Sequence, residues 1–261
     1  MNRKLHLADQ LIIPFGRPKW SIDKIKIKQV SSSGTYIESS DPFAYIDKSK
    51  NRPLQIADFW DVIPESLLEI FQETNWYHDQ DQSSDGNISR AACEEFDKRF
   101  NVIRDYLKSQ CQLDTKEESM FLDIYFEHWK RTSFHGNDWH FNSEFYEMQM
   151  QALLPLPQAH LYLDDKLSGK NHMQKTDFAF WTGDKIIAVE IDGDGKRISD
   201  IAPRDRRYKD AGIEVIHILN SEINQYGHSI MDVLPKELKD VEHVYRMPRK
   251  SPYIIGFDKD R

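Results

Sequence analysis

Four side chains that could do chemistry together are Lys175, Asp177, Glu190 and Asp192, all within the stretch KTDFAFWTGDKIIAVEIDG. That stretch predicts two strands joined by a tight turn at Gly183-Asp184, since Gly-X is a favoured start for a two-residue hairpin. With the turn centred there, Asp177 faces Glu190 and Lys175 faces Asp192. Side chains alternate along a strand, so these four share one face, and Phe178, Phe180, Ile187, Val189 and Ile191 share the other. Carboxylates with Cβ atoms ~5 Å apart repel by roughly 3 kcal/mol at an effective dielectric of ~20. Positive charge is therefore expected beside Asp177 and Glu190. A hard divalent cation held by oxygen ligands is its simplest form.

The elements around the hairpin follow from pattern and punctuation. A helix is expected from Ser143 (SEFYEMQMQALL), ended by Pro155 and Pro157, then a short strand over residues 159–163. Residues 164–174 form a polar run around Ser168-Gly169 and predict a loop. After the hairpin comes a glycine-rich, charged connection, then a helix over 203–211 stopped by Gly212. Residues 213–219 (IEVIHIL) predict a buried strand. The last helix would be a crossover that returns the chain parallel to the second hairpin strand. The result is a small mixed sheet between helices.

Upstream, residues 1–60 predict an irregular, partly β region. Lys24, Lys26 and Lys28 alternate with Ile25 and Ile27, as on a half-exposed strand, and Ser31 to Gly34 marks a turn before a second strand at 35–38. The lysines suit phosphate contact, and equally the protection of a sheet edge. Helices are expected over 64–74, from Ile88 to Cys111, and from Thr115, where Thr115 and Glu118 make a capping-box pattern, through Lys130. Phe121, Leu122, Ile124, Tyr125 and Trp129 give the last of these a core-facing stripe. A short helix is expected at 228–234, interrupted by Pro235, and Arg246, Arg249 and Lys250 form a basic cluster near the end.

Composition narrows the classes. The chain has 261 residues, 39% hydrophobic and 30% charged, which fits one or two globular domains. No apolar run approaches the ~18 residues of a membrane span. The N-terminal MNRKLHLADQLIIPFG lacks a signal-peptide pattern. Cys93 and Cys111 would lie ~27 Å apart on one helix, too far to pair, which fits a reducing cytoplasm. His128, His135 and His140 lack the spacing of a helical zinc site. The acidic run DQDQSSDG lacks the closing glutamate of a calcium loop. A net charge of −8 argues against nucleic-acid binding through global charge, so such binding would need a local basic patch or a partner subunit.

The order helix, strand, strand, strand, helix, strand resembles the core of the PD-(D/E)XK nuclease superfamily. The resemblance is nearest to its very-short-patch-repair-like branch of small endonucleases. Asp177 in TDF, Glu190 in VEIDG and the following DRRYKDAGIEVIHI carry it, over about residues 140–220. It implies an α/β, restriction-endonuclease-like αβββαβ core with a mixed central sheet in residues 136–261. The mainly helical region before it, 1–135, would bind substrate or a partner.

Carried over by position, the resemblance implies Asp177 and Glu190 as metal ligands, the Ile191 carbonyl as a third, and a helix glutamate, Glu147 or else Glu144, completing the site. The implied cofactor is Mg²⁺ or Mn²⁺ and the implied activity is phosphodiester hydrolysis. DNA is the implied substrate, with RNA left open. A setting in phage defence or mobile elements, a protein partner and a homodimer are further implications. The superfamily's lysine two residues after the acid is Asp192 here, so Lys175 and Lys196 become candidates for its role. Arg204, Arg206, Arg207 and Lys209 could hold flanking phosphates. Asp205 and Asp210 among them suit an ordinary solvated helix face as well. An inactive nuclease-fold module that binds nucleic acid or assembles a complex is the competing reading.

Overall fold

In the computed structural model, residues 5–6, 11–13, 25–29, 35–39, 46–47, 52–59, 90–112, 115–132, 149–165, 170–195 and 198–240 are described. The chain is mixed α/β and divides into two compact units that interleave along the sequence. One takes Met1–Pro53, Leu156–Leu219 and Lys250–Arg261, the other Leu54–Pro155 and Asn220–Arg249. Their bounds differ from residues 1–135 and 136–261. No described helix is long and apolar enough to cross a membrane.

Among the described residues the first unit holds three sheets. Strands β1 (Leu5–His6), β3 (Ile25–Gln29) and β4 (Thr35–Ser39) form one, and the two strands expected on either side of Ser31–Gly34 pair antiparallel, with Ile27 opposite Ile37. A second sheet has the order β5-β2-β7-β8, from β2 (Leu11–Ile13), β5 (Ile46–Asp47), β7 (His160–Asp165) and β8 (Lys170–Lys175). The third has the order β11-β10-β9-β6: β6 (Leu156–Pro157), β9 (Phe178–Trp181), β10 (Ile186–Asp192) and β11 (Glu214–Leu219). It is mixed, since β6, β9 and β10 run antiparallel while β10 and β11 run parallel.

The predicted hairpin is β9–β10. Its register holds from Trp181 opposite Ile186 to Phe178 opposite Val189. Gly183 takes φ +99°, and a Cβ there would stand 2.8 Å from the Pro53 nitrogen, so both the turn and the neighbouring chain require glycine. Thr182 closes the turn, its N–H bonding the Lys185 carbonyl at 3.1 Å and its hydroxyl accepting the Lys185 N–H at 3.1 Å. The crossover helix is α3 (Ile198–Asp210), and the chain turns away from it at Gly212, whose φ is +71°.

Two expectations for this unit are corrected. Of the segment expected as a loop, 164–174, residues 164–165 and 170–174 instead pair as strands, β7 with β8. The strand expected at 159–163 therefore joins the second sheet, and β6 takes its place beside β9. One register runs from Leu156 opposite Ala179 to Asp165 opposite Lys170. Bonds from Gln158 N–H to the Asp177 carbonyl and from Thr176 N–H to the Ala159 carbonyl carry it across a kink. At that kink Gln158 takes φ +54°. A single long hairpin thus belongs to two sheets. The second correction concerns β11, which is an edge strand among the described residues; of its six residues only Ile218 is buried.

The second unit is built on α1 (Arg90–Ser109) and α2 (Lys116–Thr132), whose contact includes Phe100 and Phe126 rings 4.7 Å apart. The expected stripe, Phe121, Leu122, Ile124, Tyr125 and Trp129, is buried. Thr115 and Glu118 do meet, side chain to side chain at 2.8 Å, while Glu118 takes the Gln112 N–H instead of that of Thr115. Short helices α4 (Asn220–Tyr226), α5 (Ile230–Val233) and α6 (Lys236–Lys239) follow, Pro235 separating the last two. The helices expected at 64–74 and over most of 143–154, and the basic cluster 246–250, lie outside the described residues.

Candidate active site

Strand β10 is the floor of the site. It is buried along its whole length, on both faces, so its acids are deeper than a half-exposed hairpin would place them. Glu190 is 1% exposed and Asp192 fully buried. Charges at such depth need partners, because an unpaired buried charge is costly. The partners come from α3, whose Arg204, Asp205 and Tyr208 lie over β10 and β11.

Each oxygen of Glu190 is engaged. The Tyr208 hydroxyl donates to Oε1 at 2.8 Å, and Arg204 Nη1 stands 3.2 Å from Oε2. Arg204 and Tyr208 are four apart on α3 and so share a face. Arg204 also reaches Asp192, Nη2 to Oδ1 at 3.6 Å. Asp192 is held from its other side by His217 on β11, Nδ1 to Oδ2 at 2.5 Å, and Nε2 of the same ring meets Asp205 Oδ1 at 2.9 Å. Carboxylates at both nitrogens favour the protonated ring, which can donate to each of them. Its pKa is raised, chiefly by the Asp192 bond and then by Asp205, against the opposing effect of burial.

Asp177 sits on the kink. Continuing the β9–β10 register would bring Thr176 opposite Ile191, but there the chain turns toward the other sheet. Asp177 Oδ2 accepts the Ile191 N–H instead, at 2.8 Å. Burial and then the Asp177 charge push the Glu190 carboxyl up to about 7, against the lowering effect of Arg204, Tyr208 and Thr176. The recorded β9–β10 pairing ends at Phe178 and Val189, one position short of the expected Asp177–Glu190 pair.

The other predicted site residues fare differently. Lys175 is not brought to Asp192: it is exposed, at the end of β8, and pairs with His160 in the second sheet. With burial, its charge draws the His160 pKa down to about 4. Arg204 lies against the acids and keeps part of its side chain exposed. Arg206 is exposed and 4.0 Å from Asp210, Lys209 is exposed, and Arg207 is half-buried. Glu144, Glu147 and Lys196 lie outside the described residues. Sequence reasoning missed Tyr208, Asp205 and His217. The one available signal for His217 was a histidine inside an apolar strand, which must find a polar partner when its neighbours pack.

Among the described residues no group of three or more His, Cys, Asp and Glu side chains is placed to hold a metal. The donor chemistry of the Asp177–Glu190 pair nevertheless suits a hard divalent cation. It offers carboxylate oxygens from adjoining segments, Glu190 meeting Tyr208 and Arg204 and Asp177 meeting the Ile191 N–H. No family model, no curated protein and no solved structure matches this chain.

Proposed function

We propose that the protein is a metal-dependent endonuclease that hydrolyses phosphodiester bonds in DNA, built on a restriction-endonuclease-like core of β6, β9, β10, α3 and β11. The observation that carries this reading is the Asp177–Glu190 pair, two mutually repelling carboxylates at the place where two strands part, one of them raised to about 7. Asp177, Glu190 and the Ile191 carbonyl would hold Mg²⁺ or Mn²⁺, with Glu147 a further ligand. When bound, the cation would polarise the scissile phosphate and lower the pKa of a coordinated water. In the reaction a water oxygen adds to phosphorus and one ester P–O bond breaks. The leaving oxygen takes a proton, giving a phosphomonoester end and a hydroxyl end. Tyr208 and Arg204 hold the Glu190 carboxylate while this happens.

One observation favours a second reading, a nuclease-fold module that binds nucleic acid without cutting it. Arg204 already lies against both Glu190 and Asp192, so part of the acids' charge is balanced from within the chain.

The test incubates the protein with plasmid, linear duplex, single-stranded DNA and RNA, in Mg²⁺ or Mn²⁺ and in EDTA. Cation-dependent cleavage of DNA that Glu190→Ala abolishes is the expected result. Cleavage surviving Glu190→Ala removes the assigned site, and cleavage of RNA alone changes the substrate class. Binding without cleavage under every condition supports the second reading.

A further inference from the structure

Position 192 carries Asp, so the strand that bears Glu190 has no cation of its own beside the acids. A phosphodiester approaching buried carboxylates needs one, because like charges repel strongly where water is excluded. Lys175 does not supply it, being in the other sheet.

We infer that Arg204 is the cationic catalytic residue of this site, and that Asp192, His217 and Asp205 are the positioning residues that seat it. This rests on the nuclease reading above. The geometry is a closed circuit between α3 and the two strands beneath it. Arg204 spans Glu190 at 3.2 Å and Asp192 at 3.6 Å. Asp192 is tied to His217, and His217 is tied at 2.9 Å to Asp205, the residue next to Arg204 on α3. The helix is therefore pinned at two consecutive residues, one through each end of the same circuit.

Contact and exposure together decide which member meets substrate. Asp192 and Glu190 side chains are 0% and 2% exposed, while Arg204, His217 and Asp205 are 21%, 25% and 33% exposed. His217 lies against Asp192 and Asp205, whereas Arg204 is the basic side chain of the circuit that stands against Glu190 itself. Its guanidinium carries five N–H donors in a planar fork, more than its contacts with two acids use, and the fork matches two oxygens of one phosphate. Asp192 costs the site a negative charge but brings Arg204 and His217 against it.

The test uses the full chain with Mn²⁺ binding by calorimetry beside cleavage kinetics on the DNA that the unaltered protein cuts. Arg204→Gln is expected to lower kcat about 100-fold with little change in KM. Mn²⁺ should bind it at least as tightly, because a competing charge is gone. Arg204→Lys should recover part of the rate. Asp205→Asn, a milder change outside the buried acids, should lower kcat about tenfold with Mn²⁺ affinity unchanged, and this variant decides if Arg204→Gln does not fold. Full activity in Arg204→Gln overturns the inference while leaving the nuclease reading intact, as does unchanged kcat in Asp205→Asn. Parallel loss of Mn²⁺ binding and cleavage in Arg204→Gln also overturns it, since Arg204 would then only organise the acids. An unaltered protein that neither binds Mn²⁺ nor cleaves overturns the nuclease reading, and this inference with it.

Discussion

Asp177 Oδ2 takes the Ile191 N–H at 2.8 Å, where an unbroken ladder would have offered the Thr176 carbonyl. A side chain thereby replaces a backbone acceptor at the point where one hairpin leaves its sheet for another. The same bond fixes the acid beside Glu190. Two substitutions separate these roles. Asp177→Ala strands a backbone donor and should cost about 1–3 kcal/mol in denaturant unfolding. Asp177→Asn keeps an oxygen acceptor, so its stability should stay within about 1 kcal/mol of the unaltered protein, yet cation binding should be lost. Equal destabilisation by both would mean the bond to Ile191 contributes little.

The raised Glu190 pKa has a consequence for stability without cation. A carboxyl near 4.5 when unfolded and about 7 when folded favours the folded state in its protonated form. Its contribution is complete below about pH 4.5 and is lost as pH rises through about 7. The size is on the order of 3 kcal/mol. His217, also raised, acts in the same direction at its own higher window, losing its contribution as pH passes above its folded pKa. Glu190→Gln should flatten the lower part of this dependence. Urea unfolding between pH 4.5 and 8 in EDTA measures it, and a slope unchanged in Glu190→Gln would assign the effect elsewhere.

How much of this was legible depends on the range of the interactions. The Gly183-Asp184 turn, the β9–β10 register, the parallel return through α3 and the stop at Gly212 rest on local chemistry and period-two alternation, which a sequence displays directly. The kink at Thr176-Asp177 does not, because nothing in the alternation marks where a strand changes sheet. That is why Lys175 was expected to face Asp192 and instead faces His160. The β7–β8 hairpin was hidden by its composition: a run rich in Asp, Lys, Asn and Gln carries no apolar period. Arg204 presented the opposite difficulty. A helix bearing alternating charges suits a solvated face, and only the depth of Glu190 and Asp192 makes one of those charges turn inward. Burial was overestimated for β11, since IEVIHIL has the composition of a central strand but occupies the edge of its sheet among the described residues.

At the turn, Gly183→Ala combines two penalties, a φ of +99° and a Cβ placed 2.8 Å from the Pro53 nitrogen. The neighbour is backbone and cannot swing away. A loss of about 2–3 kcal/mol is expected, read as a lower midpoint in thermal or urea unfolding. A neutral result would show that the chain at Arg52-Pro53 does not hold its place against the turn.

Tyr208→Phe isolates the helix's hold on Glu190. The phenol donates to Oε1 at 2.8 Å and lowers the Glu190 pKa, while burial and the Glu190 charge push the phenol's own pKa up, so it stays a donor. Removing the hydroxyl should drive the Glu190 pKa above about 7. A bond to an ionised acceptor is worth about 1.5–3 kcal/mol and one to a neutral acceptor about 0.5–1.5. The penalty of Tyr208→Phe should therefore be small at pH 5, where Glu190 is protonated, and grow as pH rises through 7. Paired unfolding curves of the two proteins at pH 5 and pH 8.5 in EDTA measure the difference. A penalty equal at both would place the ionisation on another group. If it grows as expected, the nuclear resonance of the Glu190 carboxyl carbon should titrate later in the variant than in the unaltered protein.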